Sequence, residues 1–165
     1  MITEIIVISI VVGGAACIIR HFNNTIRKER NRTSIKESLD LTQLPIVTFQ
    51  EGNLKLNFLL DSGSTHSYIS ESCAKTLLGT PIDIEDFSYH TSTGTDTVSK
   101  MIETLLMHRD KEFKVDLLVN NSLDTTFEEV KSEWGAQLHG ILGSDFLKKH
   151  KYVLDFSELV VYPKK

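Results

Sequence analysis

The chain has 165 residues, of which 41% are hydrophobic and 24% charged, so it is long enough for one folded domain and too short for two sizeable ones. Its formal charge of −4 is uneven, because residues 1–36 carry six basic and two acidic side chains, a net of +4, which leaves −8 for the remaining 129 residues. An acidic body argues against a nucleic-acid partner. Cys17 and Cys73 form no CxxC or Cys/His pattern, so neither a metal nor another cofactor is expected.

The chain opens with an uncharged apolar run over residues 5–19, "IIVISIVVGGAACII". These fifteen residues are fewer than the roughly 20 that cross a bilayer core, but flanking residues can extend the run. We interpret residues 1–22 as a single-pass transmembrane anchor, with residues 2–22 in contact with the membrane. A processed export signal and a buried core helix are the alternatives.

Residues 23–40, "NNTIRKERNRTSIKESLD", are predicted to form a polar, basic tether that is helical in part. Its basic residues lie directly after the apolar run, and the positive-inside rule then places the C-terminal body in the cytoplasm. If the apolar run is instead an export signal, the body faces the outside. The folded domain is predicted over residues 41–165.

The first predicted elements of this domain are two short strands, over residues 44–50 and 54–60, with a turn at residues 51–53. Ser70 is a favourable helix N-cap residue and Gly79 is a helix stop signal, so a short helix is predicted between them.

The remaining predicted elements are extended segments over 87–91, 98–107, 113–119 and 138–143, a helix over 127–134, a short helix over 144–150, and a closing strand pair over 152–156 and 159–162. Many short strands, few helices and turns marked by glycine are typical of a mostly-β domain.

Asp61 directly follows the second predicted strand. A carboxylate at the end of an apolar strand is costly to bury unless hydrogen bonds or charges compensate it. Ser62, Gly63 and Ser64 supply two hydroxyls and several backbone N–H groups, and Gly63 allows close backbone approach. The stretch can therefore hold one carboxylate rigidly at a cleft. Two such carboxylates that share one proton can act as base and acid in hydrolysis.

Asp61-Ser62-Gly63-Ser64 resembles the Asp-Ser/Thr-Gly-Ser/Thr motif of retropepsin-like aspartic proteases. About 80 residues later, Ile141-Leu142-Gly143 resembles the hydrophobic-hydrophobic-Gly element that supports the catalytic loop of that family. The helix and strands that follow also fit the family, so the resemblance covers about residues 44–162. It implies a small closed acid-protease barrel, mostly β, with one or two short helices.

The resemblance also implies an activity. Because the chain has a single Asp-Ser-Gly, the catalytic dyad would form from Asp61 of each copy in a C2 homodimer. The protein would be an aspartic endopeptidase acting on a peptide or protein substrate, with one carboxylate as general base and the other as general acid. A catalytically silent retropepsin-like module used for dimerisation or peptide binding is the alternative.

The supporting residues also take their roles from the resemblance. Ser62 would hydrogen-bond across the dimer axis, Gly63 would turn its N–H toward the carboxylate, and Ser64 would bond the outer carboxylate oxygen. The hydrophobic-hydrophobic-Gly element would pack behind this loop and have no chemical role.

A flap is expected to close over the substrate. The candidate is the predicted hairpin over residues 89–98, with Thr93, Gly94 and Thr95 at its tip. Closure would exclude water and add backbone hydrogen bonds to an extended peptide. This tip has less glycine than the viral members of the family.

Two further residues invite a chemical interpretation that we consider less favourable. Asp155, in the closing strand pair, lacks the Ser-Gly context of Asp61, so we predict a structural role. Cys73 is predicted to be a small buried helix residue rather than a nucleophile.

Overall fold

The computed structural model describes residues 31–91 and 94–164. The predicted anchor over residues 1–22 and residues 23–30 of the predicted tether lie outside the described residues. Among those that are described, no helix is both long and apolar enough to cross a membrane.

The described residues form ten strands and four helices. The strands are β1 (Thr33–Ser34), β2 (Ile46–Glu51), β3 (Leu54–Leu60), β4 (Tyr68–Ser70), β5 (Ile82–Thr91), β6 (Gly94–His108), β7 (Lys111–Asn120), β8 (Gly140–Leu142), β9 (Tyr152–Asp155) and β10 (Val160–Pro163). The helices are α1 (Lys36–Thr42), α2 (Glu71–Ala74), α3 (Ser122–Trp134) and α4 (Ser144–Lys149).

Six strands close into a barrel in the order β2-β3-β8-β4-β7-β6. The barrel closes where Gln50 of β2 pairs with Met107 of β6, and β5 pairs with the earlier part of the same edge of β6. The β3–β8 and β4–β7 pairs are parallel, and the others are antiparallel. A small separate sheet has the order β1-β10-β9. The prediction of a mostly-β closed barrel is confirmed.

The barrel encloses an aromatic core that follows from strand periodicity. In β2, Val47 and Phe49 are buried while Thr48 and Gln50 are exposed, as expected for side chains that alternate across a sheet. The Phe49 ring contacts other rings with centroids 5.0–6.3 Å apart, mostly in edge-to-face or tilted geometry. A second apolar cluster lies where Leu123 and Phe127 of α3 pack on the sheet.

Helix α1 overlaps the end of the tether, which was expected to be helical in part, but its attachment to the core was not expected, and the number of helices exceeds the predicted one or two. The predicted tether ends inside α1, and Ile35 just before it is only 1% exposed and donates its N–H to the Leu159 carbonyl at 2.9 Å. This short helix therefore begins within a polar stretch because one buried isoleucine attaches it to the core. The folded part of the chain begins before residue 41.

Helix α2 begins as predicted and ends early. The Ser70 hydroxyl accepts a hydrogen bond from the Cys73 N–H, which is the expected N-cap. The helix ends at Ala74 rather than near Gly79, and the Leu78 N–H donates to the carboxylate of Glu51. This contact comes from a distant strand, so local signals could not reveal it. Cys73 is buried, as predicted.

Three half-buried histidines make stability depend on pH. Burial lowers the pKa of His108, His139 and His150 below the ordinary histidine value. The Nδ1 atom of His139 accepts a hydrogen bond from the Asn57 N–H at 2.9 Å, so this ring nitrogen is unprotonated in the fold. Folded histidines of this kind resist protonation that the unfolded chain accepts.

We therefore expect the free energy of unfolding to fall as the pH drops from about 7 to about 5, since the unfolded chain binds more protons below its histidine pKa of about 6.5. The His139→Asn variant keeps a side-chain acceptor for Asn57 and should show a shallower fall. Urea denaturation of both proteins across this pH range measures the slopes. Equal slopes, or stability that rises on acidification, would contradict this account.

Candidate active site

Asp61 lies where two parallel strands end side by side. Leu60, the last residue of β3, pairs with Leu142 of β8, and the Asp61 N–H donates to the Leu142 carbonyl at 3.0 Å. The backbone of Asp61 is thus fixed by a strand about 80 residues away in sequence. Its side chain is half-buried, so it is held by the barrel and still reachable from solvent.

The carboxylate is held by the loop that follows it. Asp61 Oδ1 accepts a hydrogen bond from the Gly63 N–H at 2.9 Å. A Cβ on Gly63 would lie 3.2 Å from this oxygen, so a side chain there would crowd the carboxylate. Ser62 and Gly63 are both exposed, which leaves the outer surface of the loop open. The arrangement presents one oriented carboxylate at the protein surface.

Ser64 has a different role from the one the resemblance implied. Its hydroxyl donates to the His66 carbonyl at 2.8 Å, in place of the expected bond to the outer oxygen of Asp61. The Ser64 carbonyl accepts from the Ser144 N–H at 2.8 Å, which ties the loop to the start of α4. In the single chain, Ser64 therefore shapes the loop rather than orienting the carboxylate.

The hydrophobic-hydrophobic-Gly element lies directly behind the loop. Leu142 is fully buried, and Ile141 is half-buried in the second apolar cluster. A Cβ on Gly143 would lie 2.3 Å from the His66 carbonyl oxygen and 2.9 Å from that of Ser64. No side chain fits there, so the close approach of the two chain segments requires glycine at this position.

The sequence interpretation missed a hydrogen-bonded pair that joins the two segments, which we call the Ser67–Asp145 pair. Ser67 is fully buried, and its hydroxyl and N–H donate to the two carboxylate oxygens of Asp145 at 2.7 and 3.0 Å. The Ser67 hydroxyl also accepts from the Gly143 N–H at 3.0 Å. The Asp145 carboxylate also accepts a hydrogen bond from the Phe146 N–H at 2.7 Å. The sequence signal for this pair was the acidic residue two positions after Gly143.

The predicted hairpin forms from β5 and β6, and Thr91 pairs with Gly94 at its end. Thr93 lies outside the described residues, while Gly94 and Thr95 begin β6. The hairpin contacts the Asp61 loop at its base, where the Phe87 ring centroid lies 4.7 Å from that of His66. The expected flap segment is therefore adjacent to the candidate site.

Other titratable groups near the site are held by structural contacts. Burial, then the negative charges of Asp145 and Asp96, raise the pKa of Tyr68 above its ordinary value. Asp96 of the hairpin accepts a hydrogen bond from the Ser122 hydroxyl at 2.7 Å, which attaches β6 to the start of α3. Asp155 accepts from Ser157 and Glu158 in a turn, in keeping with a structural role. Within residues 31–91 and 94–164, no cluster of His, Cys, Asp and Glu could hold a metal ion.

The Ser67→Ala variant should lower the free energy of unfolding by about 1–3 kcal/mol, because it leaves the buried Gly143 N–H without its acceptor and removes one donor to Asp145. It should also increase hydrogen exchange at the amides of residues 64–67. Urea denaturation and amide exchange measure the two effects. Ser88→Ala is the matched control, because among the described residues the Ser88 hydroxyl bonds only the exposed Thr97, and the change there should stay below about 0.5 kcal/mol. Equal effects in the two variants would contradict the structural importance of the pair.

Comparison with solved structures finds similar chains at low identity. They include the EIAV protease complexed with the inhibitor HBY-793 (18% identity, TM-score 0.48, covering 67% of this chain and 90% of that one). They also include the retroviral protease-like domain of Ddi1 from Leishmania major (12%, TM-score 0.49, 73% and 87%) and a retropepsin-like aspartic protease from Rickettsia conorii (19%, TM-score 0.46, 70% and 86%).

A search of curated proteins finds no match. A family model described as aspartyl protease matches residues 47–146. This range is more than half of the chain, and it contains both the Asp61 loop and the glycine element behind it. The chain belongs to the aspartyl protease family.

Proposed function

We propose that this protein is an aspartic endopeptidase whose active site forms from two copies of Asp61 in a homodimer. The observation that carries the proposal is the placement of Asp61, whose backbone is fixed by β8 and whose half-buried carboxylate is oriented by the Gly63 N–H. The sequence contains no second Asp-Ser-Gly that could supply a partner within one chain. A second copy is the direct source of the missing carboxylate.

Peptide hydrolysis needs a base and an acid at the same moment. Two Asp61 carboxylates that face each other repel when both are charged, so in the proposed dimer they hold one proton between them. The ionised carboxylate removes a proton from a water molecule, which attacks the scissile carbonyl. The protonated carboxyl polarises the carbonyl oxygen and a proton is then delivered to the leaving amine. The chain forms no covalent intermediate in this mechanism.

The surface of the Asp61 loop fits a position at the dimer axis. Ser62 and Gly63 are exposed residues of the loop, so a partner loop could approach them without moving buried groups. In the proposal, Ser62 hydrogen-bonds across the axis and holds the two carboxylates together. The elements behind the loop, from Ile141 to Asp145, supply rigidity rather than chemistry.

The substrate in this proposal is an extended peptide segment that lies between the Asp61 loop and the β5–β6 hairpin. The contact between Phe87 and His66 places the base of the hairpin beside the loop. Closure of the hairpin tip, with Thr93, Gly94 and Thr95, would exclude water and add backbone hydrogen bonds to the substrate.

We also propose that residues 1–22 anchor the protein in a membrane with the protease domain in the cytoplasm. The apolar run over residues 5–19 and the basic residues after it support this orientation. Protease added outside sealed right-side-out vesicles, whose cytoplasmic face is inside, should leave the domain intact. Digestion of the domain there would favour export instead.

The Asp61→Asn variant should lose peptide cleavage by at least about a hundredfold, because an amide can act neither as base nor as acid. The full chain and the variant are compared on a mixed peptide pool between about pH 4 and about pH 7 by mass spectrometry. The matched control is Asp40→Asn on α1, where the exposed carboxylate pairs with Lys36 of the same helix, and it should keep full activity.

Cleavage by both the wild-type protein and Asp61→Asn would show that another group performs the chemistry. Cleavage by neither, with both proteins folded, would show that the module is catalytically silent and serves dimerisation or peptide binding.

A further inference from the structure

A surface cavity lies away from the Asp61 loop. It has a volume of about 560 Å³, and its walls come from the β2–β3 turn, the segment before β5, and the paired strands β6 and β7. No residue of the loop from Asp61 to Ser67 lines it. The proposed chemistry therefore does not account for this cavity.

The cavity lies at a gap in the edge of β6. Along this edge, β5 pairs as far as Met101, and β2 pairs again only at Met107. A Cβ on Gly79 would lie 2.8 Å from the Glu103 carbonyl oxygen, so this carbonyl faces the segment before β5. Backbone groups two residues apart on a strand point to the same side, so those of Leu105 face the gap. No described residue hydrogen-bonds to Leu105 from that side.

Two exposed leucines form part of the cavity wall. The Leu78 side chain is 82% exposed and that of Leu105 is 54% exposed, and both line the cavity. Isolated exposed leucines are common, but two that line one cavity beside an open strand edge are typical of a binding surface.

Negative charge surrounds these leucines. The floor contains Glu51, which is 4% exposed and accepts hydrogen bonds from the Leu78 N–H at 3.0 Å and the Thr104 hydroxyl at 2.9 Å. Glu103 and Glu112 also line the cavity. Lys114 is the one cation among the lining residues, and it is paired with Glu103 at 2.7 Å. Three carboxylates against one ammonium leave the cavity net negative.

We infer that this cavity binds an extended polypeptide segment that carries a lysine or arginine between apolar side chains. The open backbone of Leu105 would pair with the segment as one strand pairs with another. The leucines would cover its apolar side chains, and the unbalanced carboxylates would attract its cation while repelling an acidic segment. The inference concerns binding alone, so it does not depend on whether the proposed dyad is active.

The test uses the full chain with Asp61→Asn, so that the probes are not cleaved. The probe is the peptide acetyl-Leu-Val-Arg-Val-Leu-amide, and its counterpart has Glu in place of Arg. Isothermal titration calorimetry should show that the Arg peptide binds at least about tenfold more tightly than the Glu peptide. Amide hydrogen exchange should show protection of the Leu105 N–H when the Arg peptide is added.

Variants of the lining residues test whether the peptides bind in this cavity. Adding Glu103→Gln and Glu112→Gln should weaken binding of the Arg peptide about tenfold. Adding Leu78→Ser should weaken both peptides, and because this leucine is exposed the change should leave the fold intact. The matched control is Glu129→Gln with Glu133→Gln, which removes the same charge from exposed positions of α3.

Three results would overturn the inference. They are equal affinity for the Arg and Glu peptides, unchanged affinity in the Glu103→Gln, Glu112→Gln protein, and protection that appears at residues 61–67 instead of at Leu105. The last result would assign the peptide to the proposed active site.

Discussion

The parallel pairing of β3 with β8 is the constraint on which the candidate site depends. It places the end of one strand beside the end of the other, so that Asp61 and Gly143 emerge together. The Asp61 loop then returns over Gly143 at a distance that leaves no room for a Cβ. The Ser67–Asp145 pair closes the arrangement with three hydrogen bonds around the buried Ser67. The half-buried carboxylate of Asp145 accepts hydrogen bonds on both of its oxygens, and such charge-assisted bonds hold the loop in one geometry.

This arrangement links the chemistry to the fold as a whole. The groups that position Asp61 come from two chain segments about 80 residues apart, so the loop cannot take its shape until the barrel has closed. The β5–β6 hairpin is also held in place by contacts at its base. Its base contacts the loop through Phe87, Asp96 attaches it to α3, and β6 is itself a barrel strand, so the barrel supports both the hairpin and the loop. A dimer of such supports would bring together two carboxylates that are already oriented, which reduces the entropy lost on forming the site.

Local features of the sequence predicted what depends on local physics. Alternating apolar residues and the Gly52 turn gave the β2–β3 hairpin, and a strand that ends in Asp-Ser-Gly-Ser gave the candidate loop. The features that were missed depend on distant partners. Helix α1 forms because Ile35 reaches the core near Leu159, and α2 ends early while Glu51, a residue of β2, accepts the Leu78 N–H. The partner of Asp145 lies 78 positions away, so no spacing rule could have assigned it.

The most direct test of the account asks whether the two Asp61 carboxylates of one active site must come from two different chains. A fixed amount of wild-type protein is unfolded and refolded together with an equal amount of the Asp61→Asn variant, and peptide cleavage is measured. If each active site needs Asp61 from two copies, random pairing leaves about half of the wild-type activity. Activity that stays unchanged on mixing, with exchange of chains verified by native mass spectrometry, would show that one chain suffices and would contradict the shared dyad.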